Sequence, residues 1–115
     1  MRVRDRDRML VSNVDANGGM KIKYSELIGW LRSDPNAKIT KITRDHITIS
    51  NQMLTTRTDF YLTENFDGLD VDWNANLGRM GRHQLKWKFK KGMNQEDMII
   101  RIGIDIQKYE QKIFG

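Results

Sequence analysis

The chain has 115 residues, no cysteine and a formal net charge of +5. That length suits one domain, residues 1–115, able to bury a core without disulfides or a structural metal; 38% hydrophobic and 30% charged residues argue against a disordered chain. Disulfides and cysteine-ligated zinc are excluded, and no apolar run approaches the roughly 18–20 residues that span a bilayer.

Residues 1–8 alternate Arg and Asp without a following apolar segment, so they do not form a secretory signal. They read as a charged arm that need not join the packed domain. The expectation is a cytoplasmic protein with no membrane partner. The positive charge is unevenly spread. Residues 1–34 hold seven basic and five acidic groups, residues 35–74 four and six, residues 75–93 six and none, and residues 94–115 three and four. One short segment therefore carries +6, the electrostatic footprint expected for a polyanion partner.

In chain order, Asp15-Ala16-Asn17-Gly18-Gly19 signals a turn. Tyr24, Leu27, Ile28 and Leu31 then recur at helical spacing and predict a helix over about 24–33, stopped by Asp34-Pro35. Residues 38–43 and 47–50 are rich in β-branched side chains and read as a hairpin about Arg44-Asp45-His46. Residues 59–63 form a third strand, and the Asp67-Gly68 pair turns the chain again.

The next two segments have the clearest pattern. Leu69-Asp70-Val71-Asp72-Trp73 alternates apolar with acidic residues, and Leu85-Lys86-Trp87-Lys88-Phe89-Lys90 alternates apolar with basic ones. A period of two marks a strand with one buried face. Pairing the two antiparallel with their apolar residues on one face sets Trp73 against Leu85, Val71 against Trp87 and Leu69 against Phe89. Asp72 then faces Lys86, and Asp70 faces Lys88. The linker between them is read as residues 74–84. Residues 94–114 fit either a strand, through Ile100, Ile102, Ile104 and Ile106, or a helix. The helix is preferred: Met98, Ile99, Ile102, Ile106, Tyr109 and Ile113 share one face, and Asn94 can cap it. Ile100 and Ile104 would then lie on the other side. The fold class is α+β, an antiparallel sheet of four to five strands with an N-terminal and a C-terminal helix packed on one face.

Three motifs bear on function. Residues 15–26 resemble an EF-hand loop, with Asp15, Asn17 and Glu26 at positions 1, 3 and 12. Met20 stands where the sharp-turn glycine is due, and Lys21 and Lys23 oppose a cation. No metal or other cofactor is therefore expected; a backbone turn is the alternative. Gly78-Arg79-Met80-Gly81 has a G-x-x-G form suited to close phosphate approach, beside Arg82 and His83; the alternative is a solvated hairpin loop. Lys86, Lys88, Lys90 and Lys91 form a basic strand face, which Asp70 and Asp72 can partly neutralise. Trp73, Trp87 and Phe89 read as core rather than as stacking platforms. The two histidines, His46 and His83, fall in turns without a carboxylate orienter near them in sequence. With no nucleophile motif or P-loop, an enzyme is not expected.

Residues 38–114, strands followed by a helix with a basic glycine-containing hairpin, are similar in element order to single-strand binders of the PUR and positive-cofactor types. That is a likeness of arrangement and not of motif. The functional expectation is a non-catalytic binder of single-stranded DNA or RNA. Arg79, Arg82, Lys90 and Lys91 would meet phosphates, with His83 assisting and Lys86 and Lys88 secondary. The alternative is a protein-interaction module, an adaptor or assembly subunit that can form a homodimer, resting on Ile100, Ile104, Trp30 and the seven methionines.

Overall fold

The computed structural model describes residues 19–115. Two short helices, α1 (Met20–Lys23) and α2 (Ser25–Leu31), precede five strands. These are β1 (Ala37–Ile42), β2 (His46–Gln52), β3 (Arg57–Asn65), β4 (Gly68–Asn76) and β5 (Arg82–Lys90). A 3₁₀ turn at Gly78–Met80 joins the last two, and α3 (Gln95–Phe114) closes the chain. The strands form one antiparallel meander in the order β1-β2-β3-β4-β5, so β1 and β5 are its edges.

The expected pairing of β4 with β5 is observed residue for residue, with Trp73 against Leu85, Val71 against Trp87 and Leu69 against Phe89. Its apolar half is buried: Leu69, Val71, Trp73, Trp87 and Phe89 join Ile47, Ile49 and Leu62 from the neighbouring strands. Leu27, Ile28 and Leu31 of α2 and Met98 and Ile102 of α3 cover that layer. Each large side chain so buried contributes about 1.5–3 kcal/mol. The other half of the alternation carries the charges to the opposite, polar face of the sheet.

Residues 95–114 are helical, as preferred. Asn94 Oδ1 accepts from the Glu96 and Asp97 amides at 2.7 and 3.3 Å and caps the first turn. Two side chains tie α3 down. Gln95 Oε1 accepts from the Leu27 amide at 2.9 Å, and its Nε2 donates to the Lys23 carbonyl at 2.8 Å. Leu27 lies in the first turn of α2, where amides lack a partner within the helix. Farther along, Trp87 Nε1 donates to Asp105 Oδ2 at 2.8 Å, and Arg101 Nε donates to the same oxygen at 3.2 Å.

Several expectations are corrected. The N-terminal helix is shorter than 24–33, because the chain breaks at Tyr24 and ends its helix at Leu31. The third, fourth and fifth strands run longer than their apolar cores, since the backbone ladder continues through polar residues as well. Consequently the linker is not 74–84 but the five residues 77–81. Neither histidine lies in a turn: His46 opens β2 and His83 belongs to β5.

The β3–β4 turn depends on its glycine. Asn65 Oδ1 accepts from the Asp67 and Gly68 amides, and the Lys91 amide donates to the Asp67 carbonyl at 2.8 Å. This draws β5 over Gly68, where a Cβ atom would stand 2.0 Å from the Phe89 carbonyl oxygen. Gly68→Ala should therefore cost about 3 kcal/mol or more in urea unfolding. A loss under about 0.5 kcal/mol, the level of an ordinary surface change, would contradict this packing.

Candidate nucleic-acid interface

Alternation along the strands puts Arg82, Gln84, Lys86, Lys88 and Lys90 of β5 on the polar face, all exposed. They form the outermost column of the sheet. Eight residue steps at about 3.4 Å make it about 27 Å long, with successive side chains about 6.8 Å apart. Inside it lies a column from β4: Asp70, Asp72, Asn74 and Asn76. Asp70 stands opposite Lys88 and Asp72 opposite Lys86. Asp70 accepts from Asn65 Nδ2 at 2.9 Å, and among the described residues neither aspartate closes an ion pair with its lysine. Facing charges in register attract, but each lysine head group remains in solvent.

The next columns are polar and internally bonded. Asp59 is buried, accepts from Ser50 Oγ and pairs with Arg57 Nε at 3.1 Å; Ser50 in turn meets Thr40 Oγ1 at 3.1 Å. His46 contacts hydroxyls on both sides, Thr63 at 2.9 Å through Nδ1 and Thr48 at 2.7 Å through Nε2, with the Tyr61 ring 6.2 Å away. Near the Arg82 end a shallow hollow of about 290 Å³ is lined by Arg57, Asp59, Tyr61, Asn74, Asn76 and Arg82, among others, with Arg57 Nε held by the Asp59 carboxylate. Guanidinium and amide groups suit phosphates and base edges, and a phenol ring can stack. Arg57, Tyr61, Asn74 and Asn76 did not stand out in the sequence. Only the β3–β4 register, which sets Tyr61 against Asp72 and Arg57 against Asn76, brings them to Arg82.

The Gly78–Gly81 loop takes a different role from the expected phosphate cradle. Its Met80 and Gly81 amides donate to Leu77 and Gly78 carbonyls at 3.1 and 3.0 Å, and the Gly78 amide to Asn76 Oδ1 at 3.3 Å. Those groups are spent within the loop, leaving the exposed Arg79 as its available group. His83 is likewise turned away from the basic column. Its Nδ1 meets the Tyr109 hydroxyl at 2.8 Å and its Nε2 the Met80 carbonyl at 2.6 Å, which pins the loop to α3. Lys90 ends the column and Lys91 follows it in the turn before α3; both are exposed.

Asp15 and Asn17 lie outside the described residues. Glu26 sits in α2, and Met20–Lys23, the middle of the EF-hand-like stretch, is a helical turn rather than an open loop. Among the described residues no cluster of three or more His, Asp or Glu could hold a metal ion, and no helix is long and apolar enough to cross a membrane. No family model matches the chain, and no curated protein or solved structure matches it significantly.

Burial, then the Lys41 charge, pushes His46 below its ordinary 6.5, against the weaker opposite pull of Asp45 and Asp72. The folded chain then holds His46 neutral where the unfolded chain protonates it. Stability from this site is full above pH 6.5 and is lost as pH falls through the folded value. Chemical denaturation at several pH values should show stability declining as pH falls below 6.5, with His46→Gln flattening that slope. Equal slopes in the two proteins would contradict a neutral His46.

Proposed function

We propose that this protein is a non-catalytic binder of single-stranded nucleic acid, which lies along the polar face of the sheet beside β5. The observation that carries the reading is the exposed column Arg82-Lys86-Lys88-Lys90 on an edge strand, ending at a hollow of Arg, Asn and Tyr side chains with Asp59 among them. Regularly spaced cations track a phosphate backbone without reading its sequence. Asp70 and Asp72 set a boundary: they repel phosphates from the middle of the sheet and confine the strand to its edge. Arg79 and Lys91 extend the basic track at its two ends. His83 supports the interface by fixing the loop that carries Arg79.

A second reading rests on Ile100 and Ile104, which are 50% and 45% exposed one helical turn apart on α3. They suit a protein-interaction module, including self-association. Trp30 is partly buried against the core, with ring atoms 3.5–3.8 Å from where a Gly103 Cβ would stand, next to Ile104 in the chain. Association through α3 would survive high salt, whereas nucleic-acid binding would not.

Fluorescence anisotropy with labelled DNA and RNA oligonucleotides distinguishes the two. With four phosphates neutralised, log K against log salt should fall with a slope of about −3. Lys86→Ala/Lys88→Ala should weaken binding and reduce that slope by about 1.4. An absence of binding at low ionic strength to any single strand would sink the proposal. A salt-insensitive dimer in size-exclusion chromatography, disrupted by Ile100→Glu, would favour the second reading.

A further inference from the structure

At the opposite end of the sheet from the Arg82 hollow lies a cavity of about 750 Å³, between the β3–β4 turn and the start of α3. That volume is in the range of sites for small organic ligands. Its lining is divided by chemistry. Leu69 and Met98 are buried in its floor, Met93 adjoins them, and Phe66 stands at the lip with 91% of its surface exposed. Lys90 and Lys91 line it, neither in an ion pair among the described residues, as do Arg44 and Asp45 from the β1–β2 turn. Glu64 also lines it and accepts from Lys23 Nζ at 2.6 Å and Tyr24 Oη at 2.7 Å. Burial works against its charge, but those two hydrogen bonds and the nearby Lys91 hold Glu64 below its ordinary 4.5, so it stays an ionised acceptor. Burial and the same contact raise Tyr24, which stays a donor to Glu64. Both ends of the Gln95 amide are bonded to the α1–α2 backbone, which fixes the wall behind.

A ligand complementary to this arrangement has an anionic group at one end, a flat apolar body and a hydrogen-bond donor at the other. We propose that the cavity binds one phosphorylated nucleotide. Its phosphate meets Lys90 and Lys91, its base lies over Met93 against Phe66, and a base amino group reaches Glu64. The nucleotide is either free or the phosphorylated end of a strand. Only the strand-end case rests on the function proposed above, since Lys90 belongs to both the basic column and the cavity wall.

Titration calorimetry on the full chain at low ionic strength, with the four nucleoside monophosphates, adenosine and inorganic phosphate, tests this. Saturable binding of at least one monophosphate is expected, with adenosine about tenfold weaker because it lacks the charged group. Lys90→Ala/Lys91→Ala should weaken the monophosphate about tenfold, and Phe66→Ala should also weaken it. Lys108→Ala/Lys112→Ala removes the same charge from α3 and should leave the affinity unchanged. No saturable monophosphate binding would overturn the proposal, as would equal affinity for adenosine and its monophosphate or equal losses in the two lysine pairs. Because Lys90, Lys91 and Phe66 are exposed, these variants keep the fold, which circular dichroism checks. A 5′-phosphorylated oligonucleotide binding more tightly than its 5′-hydroxyl counterpart assigns the site to strand ends; equal affinity assigns it to free nucleotides. Oligonucleotide binding without monophosphate binding removes the cavity proposal and leaves the edge-strand reading standing; the reverse removes only the latter.

Discussion

The phase of β4 against β5 governs the rest of the molecule. Leu69, Val71 and Trp73 share their face with Leu85, Trp87 and Phe89, and that shared face is what α3 packs on. A slip of one residue would turn lysines inward and tryptophans out, a change no local adjustment could offset. The glycine turn before β4 and the five-residue loop after it hold this phase from both ends. Trp87 then links it to the helix through Asp105, and the Trp73 indole meets the Tyr109 ring edge-on at 5.7 Å.

The same phase creates the charged edge. Side chains alternate, so burying one set of β5 residues lines up the other set as an exposed column with regular spacing. On an edge strand these lysines also discourage pairing with another sheet. That protective role and phosphate binding are compatible, and the cluster of Arg57, Asn74, Asn76 and Arg82 is what argues for more than protection. Away from the edge, Asp59 is satisfied by Ser50 and Arg57, and His46 by Thr48 and Thr63, so the middle of the sheet is a supporting surface rather than a reactive one.

Much of this was legible in the sequence. The β4–β5 register followed from period-two patterning, and the Asn94 cap and the Met98–Ile102 face correctly favoured a helix over a strand for residues 95–114. The strand ends did not, because Asn74, Asn76 and Gln84 are polar and only their hydrogen-bond ladders place them in the sheet. The direction of His83 was not legible for a related reason: its partner Tyr109 is 26 residues away, and adjacency to Arg79 and Arg82 in the chain says nothing of the face it takes. The cavity was invisible for the same cause. Glu64, Phe66, Lys90 and Met98 belong to different elements and meet only in the folded domain.

The central claim is that single-stranded nucleic acid lies on the polar side of β5. Its most direct test is a two-dimensional NMR titration of the full chain with a short single-stranded oligonucleotide. Lysine side-chain resonances of Lys86, Lys88 and Lys90 and the amide side chains of Asn74, Asn76 and Gln84 should shift, while Ile100 and Ile104 should not. Shifts confined to α3, or none at saturating oligonucleotide, would contradict it.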